Sequence, residues 1–393
     1  MAREPIEVPL LDLRAEQAKL RPDLDAAIAR VLDSQRFILG PEVEALESEL
    51  AAVCGASHAV ACASGSDALL LCLMALGVGA GDEVALPTYT FFATAGAVHR
   101  LGARPILVDV DPATYDVDPA SLERAAQRCR RLRAVIPVHL FGQAADLDAV
   151  EAVARRCGVP LIEDAAQAIG ALDARGRRVG GAGWPACFSF YPTKNLGGYG
   201  DGGLVTTSDP AFAAELRMLR DHGMQPRYHH RRVGINSRLD ALQGAVLRVK
   251  LPHLERWNET RRANADHYDA LFRDAGALDS TTSLDEGGFP LRIPARRPAP
   301  SRHVFHQYVI RVPARVRDAL RKHLGEQRIG TEVYYPIPLH LQECFASLGY
   351  REGDLPHAER AAGETLAIPV HPELSKAQRE HVVASVVGFL RNA

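Results

Sequence analysis

The chain has 393 residues, with 46 Lys+Arg against 48 Asp+Glu, a formal net charge of −2, and 47% apolar and 24% charged residues. That is enough for two domains sharing an interface, and the interspersed charge excludes a general nucleic-acid or membrane surface, one basic cluster at 227–232 apart. With no long apolar run, no N-terminal signal pattern and seven cysteines that form no C-x-x-C pair, a soluble cytoplasmic protein with reduced thiols and no metal site is expected.

In chain order, apolar residues at helical spacing predict a helix over 15–32, broken at Phe37-Ile38-Leu39-Gly40-Pro41. Pro41 suits the first turn of a second helix, 42–53, which stops at Gly55. From His58 short apolar runs alternate with helical segments, the pattern of an α/β fold with a largely parallel sheet covered by helices. Strands are predicted at 59–63, 83–86, 105–109, 134–139, 160–163, 186–190 and 203–207, and helices at 67–76, 94–101, 121–130 and 147–156. A long polar helix follows at 251–262, and beyond 274 comes a loop rich in Gly, Pro and Arg. A strand at 304–312, a helix at 316–324, a strand at 331–335 and a last helix at 375–390 read as a smaller α+β unit. The expected division is 1–255 for a large domain and 256–393 for a small C-terminal one.

Four stretches could carry chemistry. Ala63-Ser64-Gly65-Ser66-Asp67 turns directly from a strand into a helix, whose free N–H groups and dipole favour an anion such as phosphate, although Ser64 or Ser66 could equally be a helix cap. Pro87-Thr88-Tyr89-Thr90-Phe91-Phe92-Ala93-Thr94 places aromatics at a strand end, where ligands of open parallel sheets bind; core aromatics are the plainer explanation. In Glu163-Asp164-Ala165-Ala166-Gln167, two adjacent acids at an apolar strand end are costly unless something positive meets one of them. Asp164 is thus a candidate counter-ion for a protonated ring nitrogen. A helical continuation would put Gln167 on the same face, and an N-cap aspartate beside a solvent-facing glutamine is the alternative. Last, Ser189-Phe190-Tyr191-Pro192-Thr193-Lys194-Asn195-Leu196-Gly197-Gly198 sets Lys194 after an apolar run and before glycines, placed to offer a desolvated, imine-forming amine; alone it could be a surface lysine in a turn.

Phosphate cradle, aromatic, buried acid and lysine together are what pyridoxal phosphate chemistry needs, and the G-x-G-x-x-G and P-loop patterns of other nucleotide sites are absent. On Glu163-Asp164-Ala165-Ala166-Gln167, Ser189-Phe190-Tyr191-Pro192-Thr193-Lys194, the Phe37–Pro41 run and Tyr335-Pro336-Ile337-Pro338-Leu339-His340, the chain resembles the DegT-like nucleotide-sugar aminotransferases, over essentially its whole length. The resemblance implies a PLP-dependent transferase fold type I. It also implies pyridoxal 5'-phosphate held on Lys194 and passing through pyridoxamine 5'-phosphate, with L-glutamate giving 2-oxoglutarate and a keto-sugar nucleotide receiving the amine.

By the same resemblance Asp164 pairs with the ring nitrogen, Gln167 meets the ring hydroxyl and Phe91 stacks on the ring. Gly65, Ser66 and Ser189 hold the phosphate, Ser66 standing where many members carry Thr. Asn236, in Gly234-Ile235-Asn236-Ser237-Arg238-Leu239-Asp240-Ala241-Leu242-Gln243, reaches the phosphate of a second subunit, so a homodimer with composite sites is expected. Arg238, His229, Tyr334, Tyr335 and His340 fall at substrate-facing positions, with Tyr334 where many relatives have His or Arg. Asn236 as a helix cap, Arg238 as a surface ion pair and the 227–232 loop as solvated chain remain plainer alternatives. The run from His222-Gly223 to Asp240 resembles members acting on 3-keto sugars, including 2-acetamido-3-keto uronates and 3-keto-6-deoxyhexoses. A 4-keto sugar, a dehydratase or a cofactor-binding regulator are the competing readings; Lys194 itself argues against the dehydratase branch.

Overall fold

The computed structural model describes residues 6–392. The chain begins with two helices, α1 (Leu13–Ser34) and α2 (Pro41–Cys54). Asp12 caps α1 by accepting the Ala15 amide at 3.0 Å, and Pro41 opens α2 where its missing N–H is no loss. Gly55 ends α2 at φ 70°, a left-handed conformation that suits glycine. Strands and helices then alternate as β1 (His58–Cys62), α3 (Gly65–Ala75), β2 (Glu83–Pro87), α4 (Phe92–Arg100), β3 (Arg104–Val108), α5 (Pro119–Ala126), β4 (Leu132–Val135), α6 (Leu147–Cys157), β5 (Glu163–Asp164), β6 (Ala186–Ser189) and β7 (Gly203–Thr207). Ser64, Asp118 and Asp146 cap α3, α5 and α6 through their side chains, fixing how each helix leaves the sheet.

The strands bond in the orders β1-β7-β6-β5 and β3-β2-β4. Parallel bridges Val135↔Leu161 and Val138↔Asp164 join them, giving the spatial order β1-β7-β6-β5-β4-β2-β3. β2 is parallel to β3 and β4, and β5 to β6, whereas β7 runs antiparallel to both β1 and β6. Both faces are apolar and covered. Val60, Leu86, Ile136 and Cys187 meet Leu71 of α3, Val98 of α4 and Leu216 of α7 (Pro210–Leu219). On the other face Ala61, Phe188 and Leu204 meet Leu46 and Leu50 of α2 and Leu247 of α8 (Ala241–Lys250). Burial on this scale stabilises by about 1.5–3 kcal/mol per large aliphatic side chain. The carboxyl ends of β1, β2, β5 and β6 therefore open on one edge of a rigid sheet, where the site assembles.

α9 (Leu254–Asp274) leads to a second sheet of β8 (Leu278–Asp279), β9 (Arg292–Ile293), β10 (Tyr308–Arg311) and β11 (Thr365–Ile368), in the order β11-β10-β9-β8. With α10 (Ala314–Glu326), α11 (Pro356–Glu364) and α12 (Lys376–Leu390) comes a further core in which Tyr268 and Phe272 meet Ile310, Leu320, Leu324, Leu366, Val382 and Val386. The polar helix expected at 251–262 thus starts at Leu254 and runs on to Asp274.

Several expected strands change, those at 134–139 and 160–163 becoming Leu132–Val135 and Glu163–Asp164. The one at 304–312 shrinks to Tyr308–Arg311, because the Val304 amide is drawn to the Gly142 carbonyl at 2.9 Å and Phe305 turns to φ 45°. At 331–335 only a single bridge forms, Glu332↔Ala367. There the buried Tyr89 hydroxyl donates to the Tyr334 carbonyl at 2.6 Å and accepts the Tyr335 amide at 3.1 Å, pulling the chain off the sheet.

Candidate active site

Side chains alternate along a strand, so the adjacent acids of β5 face opposite ways. Glu163 turns to His139: the His139 Nδ1 accepts the Ala145 amide at 3.0 Å, which leaves the proton on Nε2 to donate to Glu163 Oε2 at 2.9 Å. Asp164 turns to the strand-end cleft, where its Oδ2 accepts from the Thr94 hydroxyl at 2.8 Å and its Oδ1 from the Ala166 amide at 3.2 Å. Burial pushes the Asp164 carboxyl up; those two hydrogen bonds and the Lys194 charge work against it. Thr94 is a site residue that sequence reasoning missed. Its one outward sign is Thr90 four residues earlier, whose hydroxyl lies 3.2 Å from that of Thr94.

Beyond Asp164 the chain turns instead of becoming helical. Gln167 is nevertheless fixed beside the acid, accepting the Phe141 amide at 2.6 Å and donating to the Tyr335 hydroxyl at 3.3 Å. Tyr335 connects the rest: its ring lies 6.0 Å from that of Phe91, which is 57% exposed, and the nearby Asp164 charge adds to the burial that keeps its phenol protonated. Tyr334 packs edge-on against Tyr335 at 5.8 Å.

Lys194 follows β6 in a segment of turns, its amide donating to the Tyr191 carbonyl at 2.8 Å. Desolvation pushes its amine down to about 8, against the pull of Asp164. Next to it, Asn195 donates to Asn258 Oδ1 at 2.8 Å and to the Val304 carbonyl at 3.2 Å, and its Oδ1 meets His306 Nδ1 at 3.1 Å. Burial and the Lys194 charge hold His306 well below the usual histidine range, so a neutral ring lies beside the amine.

At the start of α3, Gly65 lies flush against Ser189: a Cβ there would come 2.7 Å from the Ser189 Cβ. Gly203 packs under Ser64 in the same way, with space for no side chain. First-turn amides have no partner within a helix, and Ser64 takes up only that of Asp67, at 3.1 Å. Ser66 is exposed beside this junction.

The structure thus brings together Phe91, Asp164, Gln167, Lys194, Tyr334 and Tyr335, with Gly65, Ser66 and Ser189 along the same edge. Among the described residues no hydrogen bond or ion pair links Asn236, Arg238 or His229 to the Asp164–Lys194 group, although Ser237 meets the start of α3, accepting the Ala63 amide at 3.2 Å and donating to Asp67 at 2.8 Å. Asn236 is exposed and bridges to Asp221, which also accepts from Arg238 at 3.0 Å. Arg238, Arg227, His222, Tyr228 and Ile38 line a groove of about 730 Å³, while His229 sits exposed on the adjoining turn. His340 departs from expectation. It is 2% exposed, with Nδ1 against the Thr88 hydroxyl at 2.9 Å and Nε2 against Glu359 at 3.0 Å. One nitrogen ties the 336–340 segment to Thr88 at the end of β2 and the other ties it to Glu359 of α11, which leaves neither for a substrate.

A buried carboxylate held by one hydroxyl and one amide, with no ion pair among the described residues, suits a protonated ring nitrogen. Together with the glycine-serine junction and the low amine, the donor set fits a pyridine aldehyde carrying a phosphate arm. The architecture is that of the PLP-dependent transferases of fold type I: it matches the crystal structure of S. venezuelae DesV in complex with a ketimine intermediate at a TM-score of 0.91 and 44% identity, covering 98% of this chain and 99% of that one. Residues 19–387 match the DegT/DnrJ/EryC1/StrS aminotransferase family.

Among its relatives, a protein of Geobacillus stearothermophilus named pleiotropic regulatory protein is 48% identical, covering 98% of this chain and 100% of that one. The UDP-N-acetyl-3-dehydro-alpha-D-glucosamine 3-aminotransferase of Acidithiobacillus ferrooxidans is 44% identical, covering 98% and 97%. The chain belongs to the DegT/DnrJ/EryC1/StrS aminotransferase family. Among the described residues no helix is long and apolar enough to cross a membrane.

Proposed function

We propose that this protein binds pyridoxal 5'-phosphate and moves an amino group from L-glutamate to a keto-sugar nucleotide, at carbon 3 of the sugar. The observation that carries the chemistry is the Lys194 amine, pushed down to about 8 beside the buried Asp164. The carbon-3 assignment draws on the Acidithiobacillus relative, whose name specifies a 3-dehydro sugar. On this reading Gly65, Ser66 and Ser189 hold the phosphate, Phe91 covers the ring and Gln167 meets its hydroxyl. Asn236 completes the site of a second copy in a cytoplasmic homodimer. Arg238, His229, Tyr334 and Tyr335 contact substrate. The same reading divides the chain at 255/256.

When bound, the cofactor supplies an electron sink for the carbanion left when the donor loses its α proton. Asp164, oriented by Thr94 and the Ala166 amide, keeps the ring nitrogen protonated. Lys194 acts twice. As a neutral amine it would hold the cofactor through its aldehyde carbon, and once freed by the donor's amine its Nζ would take up the α proton and pass it to that same aldehyde carbon. A lysine protonated up to its ordinary 10.5 would do neither well near neutrality.

The test offers the purified protein, with cofactor and L-glutamate, a panel of UDP- and dTDP-linked keto sugars and reads the amino product by mass spectrometry. Lys194→Ala is expected to lower turnover by at least about 10³-fold; full activity in that variant would sink the proposal. The name of the Geobacillus relative favours a second reading, a cofactor-binding regulator without turnover. L-glutamate then leaves the visible absorption of the loaded protein unchanged, whereas a transaminase shifts it.

A further inference from the structure

Lys194 belongs to no helix or strand; from 191 to 200 the chain is turns and bends. Three glycines in its second half, Gly197, Gly198 and Gly200, supply no packing of their own, so what holds the amine must reach in from elsewhere. Asn195 is held by Asn258, the Val304 carbonyl and His306, and the Gly198 amide donates to the Phe190 carbonyl at 2.8 Å; the 197–200 stretch is met by two further side chains, both from α8. Gln243 Oε1 accepts the Tyr199 amide at 2.7 Å, and a Cβ on Gly198 or Gly200 would come within 2.8 or 2.9 Å of the Gln243 amide group. Lys250, 2% exposed, donates Nζ to the Gly197 carbonyl at 2.7 Å. The same ammonium meets Glu16 of α1 at 2.6 Å and lies 5.5 Å from the Tyr199 ring and 5.9 Å from that of Trp257.

Seven residues are close to two full turns, so Gln243 and Lys250 share one face of α8. Gln243 ends the 234–243 stretch expected to serve a partner subunit, yet it bonds within its own chain. A buried ammonium is costly unless its donors are met, and here they are met by the loop on one side and α1 on the other.

We propose that Gln243 and Lys250 are positioning residues for Lys194: one face of α8, braced by Glu16, clamps the 197–199 backbone and so fixes where the amine points and how well water is kept from it. This rests on reading Lys194 as the imine-forming lysine. Releasing the clamp lets the glycine segment swing out, and the amine regains solvent and its proton.

The test uses Gln243→Leu, Gln243→Glu and Lys250→Met in cofactor-free full-length protein, so it does not depend on whether the cofactor binds. Hydrogen exchange of the 195–200 amides is expected to quicken about tenfold in the Leu and Met variants. The pH midpoint for reductive methylation of Lys194 is expected to move up from about 8 by about one unit. Gln243→Glu keeps an acceptor for the Tyr199 amide and is expected to restore both. Wild-type exchange and midpoint in the Leu and Met variants overturn the inference, as does faster exchange with an unmoved midpoint, which is loop packing alone. If Lys250→Met does not fold, Gln243→Leu decides. An active Lys194→Ala would remove the proposed function while leaving this result readable.

Discussion

The Asp164 carboxylate is the most exacting group in the cleft, because burial opposes its charge, with the Thr94 hydroxyl first and then the Ala166 amide, Lys194 and His139 working the other way. Thr94→Val removes one of these while keeping the shape. The acid then protonates at higher pH than before, so the acidic limb of the activity profile moves up, with a loss near neutrality of about tenfold, corresponding to one hydrogen bond to a charged group. A profile of kcat/KM against pH checks this; an unmoved limb would mean that Thr94 is packing only. Lys194 and Asp164 were legible in the sequence, since an acid pair at a strand end and a lysine before glycines are local patterns. Thr94 was not, because its partner lies 70 residues away and only the sheet brings them together. His340 misled for the converse reason: its position in a substrate-facing loop says nothing of the Thr88 and Glu359 side chains that occupy both its nitrogens.

Among the elements, β7 and the first turn of α3 meet backbone to backbone at Gly203. A Cβ on Gly203 would lie 2.3 Å from the Ser64 carbonyl group and 2.7 Å from the Gly65 nitrogen, so Gly203→Ala must push the start of α3 away from β7. The expected cost is about 2 kcal/mol or more, read as a lower unfolding midpoint, together with weaker cofactor retention. Gly388→Ala, in α12 with nothing within 4 Å of the added carbon, serves as the contrast and is expected to gain about 0.5–1 kcal/mol. Equal effects in both would refute the argument. The alternating elements from β1 to β7 were readable because apolar runs change period there. α7 carried the same start signal as α2, Pro210 in the first turn after the Asp209 cap, and sequence reasoning missed it; α8 was hidden because Gly244 interrupts it. β11 is four residues long and follows α11 without a break, so no turn residue marks it. The expected strand at 331–335 failed because one buried hydroxyl, that of Tyr89, outcompetes the ladder.

For the molecule as a whole, Asn236 is exposed, and Phe37, Ile38, Tyr228 and Val233 leave large apolar area exposed as well. If copies pair as proposed, inactive Lys194→Ala and Asn236→Ala chains complement one another. Unfolded and refolded together in equal amounts, they form hybrids with both lesions in one site and the other site intact, recovering about a quarter of wild-type turnover. No recovery would place Asn236 in its own chain's site. The order of the sheet carries a consequence for how the protein comes into being. β1 has a single neighbour, β7, so Cys62 waits for Gly203. A ribosome must deliver half the chain before the first strand finds its place. Until then the anion-binding end of α3 has no floor, and the apolar β1 stands as an open edge, a template for wrong partners. The chain is thus exposed to aggregation during synthesis at least until the loop bearing its reactive lysine is finished and β7 covers one edge of β1.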